Sequence, residues 1–342
     1  ILFGTKKDRY YINGSDTHTL VIGATRSGKS RSIVLPTIGI EGLAGENMVV
    51  SDPKGELHQY TYPFLEALGY NVFVLDFKNP DRSDHFNFLQ EVIDAINDDN
   101  IPLAQKKALD ITEALVGNDT SSEKIWSEGE KSIMAACILA VVYDNRKHPE
   151  YQNLTNVYHF INNMCEMSDN PPLKRYIDTI EALNPNHPAL ALISATKVAP
   201  SKTQGSFNIS ALATLRLFAD INVYNLTKSN SFKIEDLNDQ KTAIFIILPD
   251  YNTTYYGVAS LFVDQIYTKL ADVADLQGGR LKRRVNFILD EFGNFAVIPD
   301  FATKLTVAGG RGIRFNLFLQ STAQLESDSK KVKYGKDRKS VV

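Results

Sequence analysis

The sequence predicts a doubly wound α/β fold whose mostly parallel sheet is interrupted by an all-helical insertion. Three observations carry this expectation. Short apolar runs rich in Val, Ile, Leu and Phe alternate with helical patterns, as in βαβ units. The runs are near-continuous rather than alternating, the mark of strands covered on both faces. A glycine-rich loop stands between the first such run and a helical stretch.

In chain order the expected strands are Thr19–Gly23, Met48–Ser51, Val72–Asp76, Ala243–Leu248, Phe287–Asp290 and Arg314–Gln320. The first three precede residue 77 and the last three follow residue 242. The stretch between them is helical in period. Pro102 is well placed to open a helix over Leu103–Val116. Ser122–Tyr143 carries Ile125, Ile133, Ala136, Cys137 and Ala140. Leu154–Met167 follows Asn153, a cap residue, and Pro171 starts a further helix. The expected division is an α/β domain over residues 1–89 and 201–342, and an all-α insertion over residues 90–200.

Composition agrees. A chain of 342 residues suits about two domains, or one large domain with an insertion. Hydrophobic residues at 43% and charged residues at 23% exclude wholesale disorder. The two cysteines, Cys137 and Cys165, exclude a disulfide scaffold and a cysteine-based zinc site, and suit a reducing compartment. Mean hydropathy is −0.19, and no run approaches the roughly 18 apolar residues of a membrane helix. No signal-peptide pattern is visible. The chain opens on Ile1, which leads to the expectation of a fragment.

Gly23-Ala24-Thr25-Arg26-Ser27-Gly28-Lys29-Ser30 fits the Walker A pattern, with a strand before it and a helix after. The glycines let the backbone wrap a phosphate closely, so that N–H groups and the helix N-terminus face the anion. Lys29 supplies charge for the β and γ phosphates of ATP, and the Ser30 hydroxyl can ligate Mg²⁺. Val285–Leu289 followed by Asp290 and Glu291 reads as Walker B. Asp290 would hold the Mg²⁺ through water, and Glu291 would polarise the attacking water. Gln320, ending the last strand, suits a γ-phosphate sensor or a water-orienting amide; a turn-capping Gln is the bland alternative. Arg311, inside Gly309-Gly310-Arg311-Gly312, suits an arginine finger reaching a neighbouring protomer, or else a surface arginine in a turn. Asp52 and Glu56 lie where the second strand ends. Asp52 is either a nucleotide or inter-subunit residue, or a helix cap.

These runs resemble a known family. Asp16–Ser30, Ser51-Asp52-Pro53-Lys54-Gly55-Glu56, Asp290-Glu291-Phe292-Gly293-Asn294, Ile298-Pro299-Asp300, Gly310-Arg311-Gly312 and Leu319-Gln320-Ser321-Thr322-Ala323-Gln324-Leu325 together look like the type IV secretion coupling proteins, the TraG-like conjugation ATPases. The resemblance covers most of the chain and is weak in the helical insertion. It implies a RecA-like motor domain, hexameric when active, with an all-α domain inserted. It implies ATP hydrolysis coupled to moving single-stranded DNA, with its attached relaxase and relaxosome proteins, toward secretion-channel components. It implies N-terminal membrane helices placing the whole protein at the cytoplasmic face of the bacterial membrane, with this soluble part monomeric when isolated. Lys29, Asp290 and Gln320 map onto the family's nucleotide motifs, and Arg311 onto its inter-subunit arginine. Relatives continue past Gly335-Lys336-Asp337 with further strands. The alternatives are another hexameric DNA pump, or a substrate receptor with nucleotide as a structural ligand.

Net charge is −3, which by itself does not indicate nucleic acid. The sum hides a split. Residues 91–150 carry twelve acids against six bases, and residues 301–342 nine bases against three acids. The expectation is that the acidic insertion meets protein cargo and basic residues elsewhere meet DNA phosphates. The cluster Arg280-Leu281-Lys282-Arg283-Arg284 precedes the Walker B strand and so belongs at the sheet edge away from the nucleotide, where it suits contact with a phosphate, a lipid headgroup or another subunit.

Overall fold

Six strands pair into one all-parallel sheet in the order β3-β8-β7-β4-β6-β5. They are β3 (Thr19–Ile22), β4 (Asn47–Asp52), β5 (Asn71–Asp76), β6 (Thr242–Ile247), β7 (Val285–Leu289) and β8 (Ile313–Leu319). All six expected strands are present, each within two residues of its expected bounds. In this computed structural model, residues 2–6, 9–117, 124–164, 171–197, 199–249 and 254–325 are described. Every residue of β4, β6, β7 and β8 is buried, which accounts for their unbroken apolar runs. One feature was not expected: an antiparallel hairpin of β1 (Leu2–Lys6) and β2 (Arg9–Ile12).

The sheet is covered on both faces. On one face, α1 (Leu35–Ala44), the turn before it and α2 (Glu56–Ala67) pack with Val34, Ile38, Leu57 and Leu65 against Met48, Val50, Phe245, Ile288 and Phe318. On the strands' alternate positions, Phe287 stacks on Phe315 with centroids 4.7 Å apart, and Phe301 meets Phe315 edge-on at 5.2 Å. Each such fully buried side chain contributes roughly 1.5–3 kcal/mol.

The edge strand β3 has one neighbour in the sheet and is fastened further by side chains just before it. The His18 ring accepts from the Phe315 N–H through Nδ1 at 3.0 Å and faces the Leu305 carbonyl through Nε2 at 2.6 Å. That pattern needs a neutral ring, and burial holds its pKa below the usual histidine range. Asp16 pairs with Arg284 at 2.7 Å and Arg280 at 2.9 Å. Arg284 also pairs with Glu46 at 2.6 Å, and Arg314 joins Glu46 at 2.7 Å. Lys282 pairs with Asp239, and Arg283 donates to the Gly45 carbonyl. The Arg280–Arg284 cluster thus lies at the N-terminal ends of the strands, where most of its charge is matched by acids.

The chain divides into two compact units, residues 1–84 with 231–342, and residues 85–230. The second unit is all-helical among its described residues, and it runs thirty residues past the expected end at 200. The reason is the helix Ser201–Leu215, which packs against the central helix Lys124–Asp144 of that unit. The central helix is buried from Ile133 to Val142, because it is also flanked by Ile101–Val116, Leu154–Met164 and Leu190–Lys197. The Asn100 side chain accepts from Leu103 N at 3.2 Å, and Asn153 Oδ1 from Asn156 N at 3.0 Å, so both helices start on side-chain caps. The helix expected after Pro171 is Pro172–Leu183. Cys165, the expected helix ends at 122–123 and 165–167, and the basic residues Lys330, Lys331, Lys333, Lys336, Arg338 and Lys339 lie outside the described residues. Among the described residues, no helix is long and apolar enough to cross a membrane.

Candidate active site

Parallel strands bring their C-terminal ends to one edge, so the turns after β3, β8 and β7 meet there whatever their distance in sequence. Gly23 continues the β3–β8 ladder, its N–H donating to the Leu319 carbonyl at 3.0 Å. The loop that follows closes on itself, with Ser27 N donating to Ala24 O at 3.1 Å. Arg26 (φ 64) and Gly28 (φ 84) take left-handed backbone, the conformation a phosphate-wrapping loop requires. A Cβ at Gly23 would stand 2.8 Å from Ser27 Oγ and 3.2 Å from the Lys29 stem, so a larger residue there would have to displace both side chains. After Lys29 the helix begins with a π-helical turn, Ser30–Val34, before α1. Turns of this kind concentrate at functional sites.

The Lys29 ammonium lies over the loop, donating to the Gly23 carbonyl at 2.5 Å and toward Ala24 O at 3.4 Å. No carboxylate among the described residues pairs with it. The Ser30 hydroxyl donates to Asp290 Oδ2 at 2.8 Å. Asp290 is 5% exposed. Burial pushes its pKa above the ordinary carboxylate value, and the adjacent Glu291 charge adds to this, while the Ser30 bond and Lys29 oppose it. Ser51 Oγ donates to the Asp290 carbonyl at 2.8 Å and fixes the end of β7 to β4. Nothing in the local sequence marks Ser51 for this role, because its place beside the Walker B strand is set by strand order, which sequence does not display.

Glu291 adopts φ 53, a left-handed conformation uncommon outside glycine and concentrated at active sites. Gln320 Nε2 donates to Glu291 Oε2 at 2.8 Å, and Gln320 Oε1 accepts from Thr25 Oγ1 at 3.0 Å. Gln320 therefore joins the Walker A loop to the Walker B acid. Gly23, Ala24, Thr25, Arg26, Ser27, Gly28, Lys29, Ser30, Asp290, Glu291 and Gln320 all lie at this edge. These residues suit a magnesium nucleotide. The loop folds tightly over Gly23, one ammonium lacks a carboxylate partner among the described residues, and a hydroxyl faces a buried carboxylate.

Asp52, Glu56 and Arg311 stand apart from this cluster. Asp52 ends β4, next to β7, but its carboxylate is turned into its own chain. Oδ1 accepts from Gly55 N at 2.8 Å and Oδ2 from His58 N at 2.8 Å. It is 1% exposed and caps the turn into α2, with all its side-chain hydrogen bonds going to backbone N–H groups of residues 54, 55 and 58. Glu56 is exposed in the first turn of α2, where a negative charge suits the helix dipole. Arg311 precedes β8, so it lies at the N-terminal edge of the sheet, opposite the Walker A loop. Its guanidinium meets Asp275 at 3.0 and 3.1 Å.

A family model described as "Type IV secretory system Conjugative DNA transfer" matches residues 3–341. The chain is 25% identical over 333 residues to Protein VirD4 of Agrobacterium fabrum, covering 92% of this chain and 45% of that protein. It is 24% identical over 345 residues to the conjugal transfer protein TraG of Escherichia coli, covering 97% and 52%. It spans about half the length of these curated relatives. Among solved structures it resembles the plasmid coupling protein TrwB in complex with ADP and Mg²⁺, at TM-score 0.67 and 17% identity, covering 96% of this chain and 68% of that one. At that identity the likeness speaks for the fold, a RecA-like P-loop sheet.

Proposed function

Because the chain belongs to the type IV secretory system conjugative DNA transfer family, we propose that it binds ATP with Mg²⁺ and hydrolyses it to drive single-stranded DNA, with an attached relaxase, toward a secretion channel. The single observation that carries the enzymatic part is the convergence of Lys29, Ser30, Asp290, Glu291 and Gln320 at one sheet edge. Lys29 would bind the β and γ phosphates, and Ser30 with Asp290 would hold Mg²⁺. When bound, Mg²⁺ supplies neutralisation of phosphate charge. Gln320 holds Glu291 Oε2, leaving Oε1 to take a proton from the attacking water. TrwB binding ADP and Mg²⁺ supports this reading.

The active form on this reading is a homo-hexamer, in which Arg311 acts on a neighbour's site, since in its own chain it stands at the opposite edge. The whole protein would be anchored at the cytoplasmic face of the membrane. The test is ATP hydrolysis against protein concentration, with and without single-stranded DNA. Specific activity should rise with concentration and with DNA. Hydrolysis that persists in Lys29→Ala would contradict the site, and hydrolysis indifferent to DNA would favour a receptor that uses nucleotide structurally.

A further inference from the structure

Gln320 needs one orientation of its side chain to bridge Thr25 and Glu291. Reversing its amide would set a carbonyl oxygen against the Glu291 carboxylate, so the orientation is fixed by charge. What fixes the backbone that carries it is Gln324, four residues on in the turn Thr322–Leu325. Gln324 Oε1 accepts from the Gln320 N–H at 2.7 Å, just where β8 ends and no ladder partner continues. The Gln324 carboxamide also fills the space over Gly293, two residues past Glu291. A Cβ at Gly293 would stand 2.8 Å from Gln324 Oε1 and closer still to its Cδ and Nε2. One side chain thus meets the backbone of Gln320 and the backbone two residues past Glu291.

We propose that Gln324 is a positioning residue. It sets Gln320, and through it the Glu291 carboxylate, and Gly293 lacks a side chain because Gln324 occupies that volume. This rests on the proposed ATPase reading for its consequence, though not for its geometry. Gln324 touches none of Lys29, Ser30 or Asp290 by any hydrogen bond in the structure, so its effect should fall on turnover and spare nucleotide binding.

The test is a double-mutant cycle of Gln324→Ala and Gly293→Ala in the full chain. It is read by ATP hydrolysis, by binding of a fluorescent non-hydrolysable ATP analogue, and by the Gln320 side-chain amide resonance in nucleotide-free protein. Each single variant should lower kcat by roughly ten- to a hundredfold, the scale of a misplaced catalytic group, with analogue affinity within about twofold. Each should shift the Gln320 amide resonance. Gly293→Ala added to Gln324→Ala should cost nothing further, because the occupied volume is already empty. Losses that multiply in the double variant, or an unmoved Gln320 resonance in Gln324→Ala, would overturn the proposal. Absent hydrolysis by the parent chain would instead overturn the ATPase reading, and the resonance would still decide the positioning role.

Discussion

The Ser30 hydroxyl donates to Asp290 Oδ2 at 2.8 Å across 260 positions of sequence. One residue opens the helix after the Walker A loop and the other directly follows the third strand of the sheet. Their meeting follows from parallel strands that bring β3 and β7 to the same edge on either side of β8. The pair ties the Walker A loop to the acid expected to hold the metal.

Ser30→Ala removes the hydroxyl and leaves Asp290 buried without it. Affinity for a nucleotide in the presence of Mg²⁺ should fall roughly tenfold or more, the scale of one lost charge-assisted contact of about 1.5–3 kcal/mol. Affinity measured in EDTA should barely change. Titration calorimetry in both buffers reads the difference, and an equal loss in both would remove Ser30 from the metal site.

Glu291→Gln keeps the shape and removes the base. Hydrolysis should drop by about 10²–10⁴-fold, while analogue binding stays within about threefold. A single-turnover assay separates the two. Near-normal hydrolysis would show that Glu291 does not take the proton.

Asp52→Ala strips the acceptor from two well-made backbone bonds at the start of α2. Stability should fall by about 1–3 kcal/mol, read as a lower denaturation midpoint, with nucleotide affinity unchanged. The opposite pattern, affinity lost at constant stability, would give Asp52 a direct role at the nucleotide.

Glu41 lies in α1 at 4% exposure, and neither carboxylate oxygen has a hydrogen-bond partner among the described residues. Burial, reinforced by the Glu46 charge, pushes its pKa up to about 8. A folded pKa above the unfolded one means that the folded chain holds the proton more tightly. The associated stability is present below the ordinary value of 4.5 and is lost as pH rises through about 8. Glu41→Gln mimics the protonated acid. Its Tm should match the parent near pH 5 and exceed it near pH 9; a parallel pair of Tm curves would refute the buried neutral acid.

Arg311→Ala chains retain the Walker motifs, and Lys29→Ala chains retain Arg311. If Arg311 serves a neighbour, mixing the two inactive variants should restore part of the hydrolysis at high protein concentration. No recovery on mixing would confine Arg311 to its pairing with Asp275.

Much of this was legible in the chain. The Walker A loop announces itself by eight consecutive residues, and the six apolar runs announce a doubly covered sheet, since burial on both faces leaves no polar alternation. The β1–β2 hairpin was not legible, because its short strands carry no strong apolar pattern. The end of the helical unit was misplaced at 200 because helix Ser201–Leu215, read alone, does not declare which core it joins.

The sequence by itself determined the sheet, the helical insertion and the Walker A and Walker B patterns that carry Lys29, Ser30, Asp290 and Glu291, because each depends on local periodicity or on contiguous residues. Only the tertiary structure decided who meets whom. Strand order and side-chain packing put Gln320 between Thr25 and Glu291, showed Asp52 in the capping role that was one of its two readings, set Arg311 at the far edge, and laid Gln324 over Gly293. Those outcomes depend on which strands are neighbours and on space filled by distant side chains, and neither quantity is written in any local stretch of the chain.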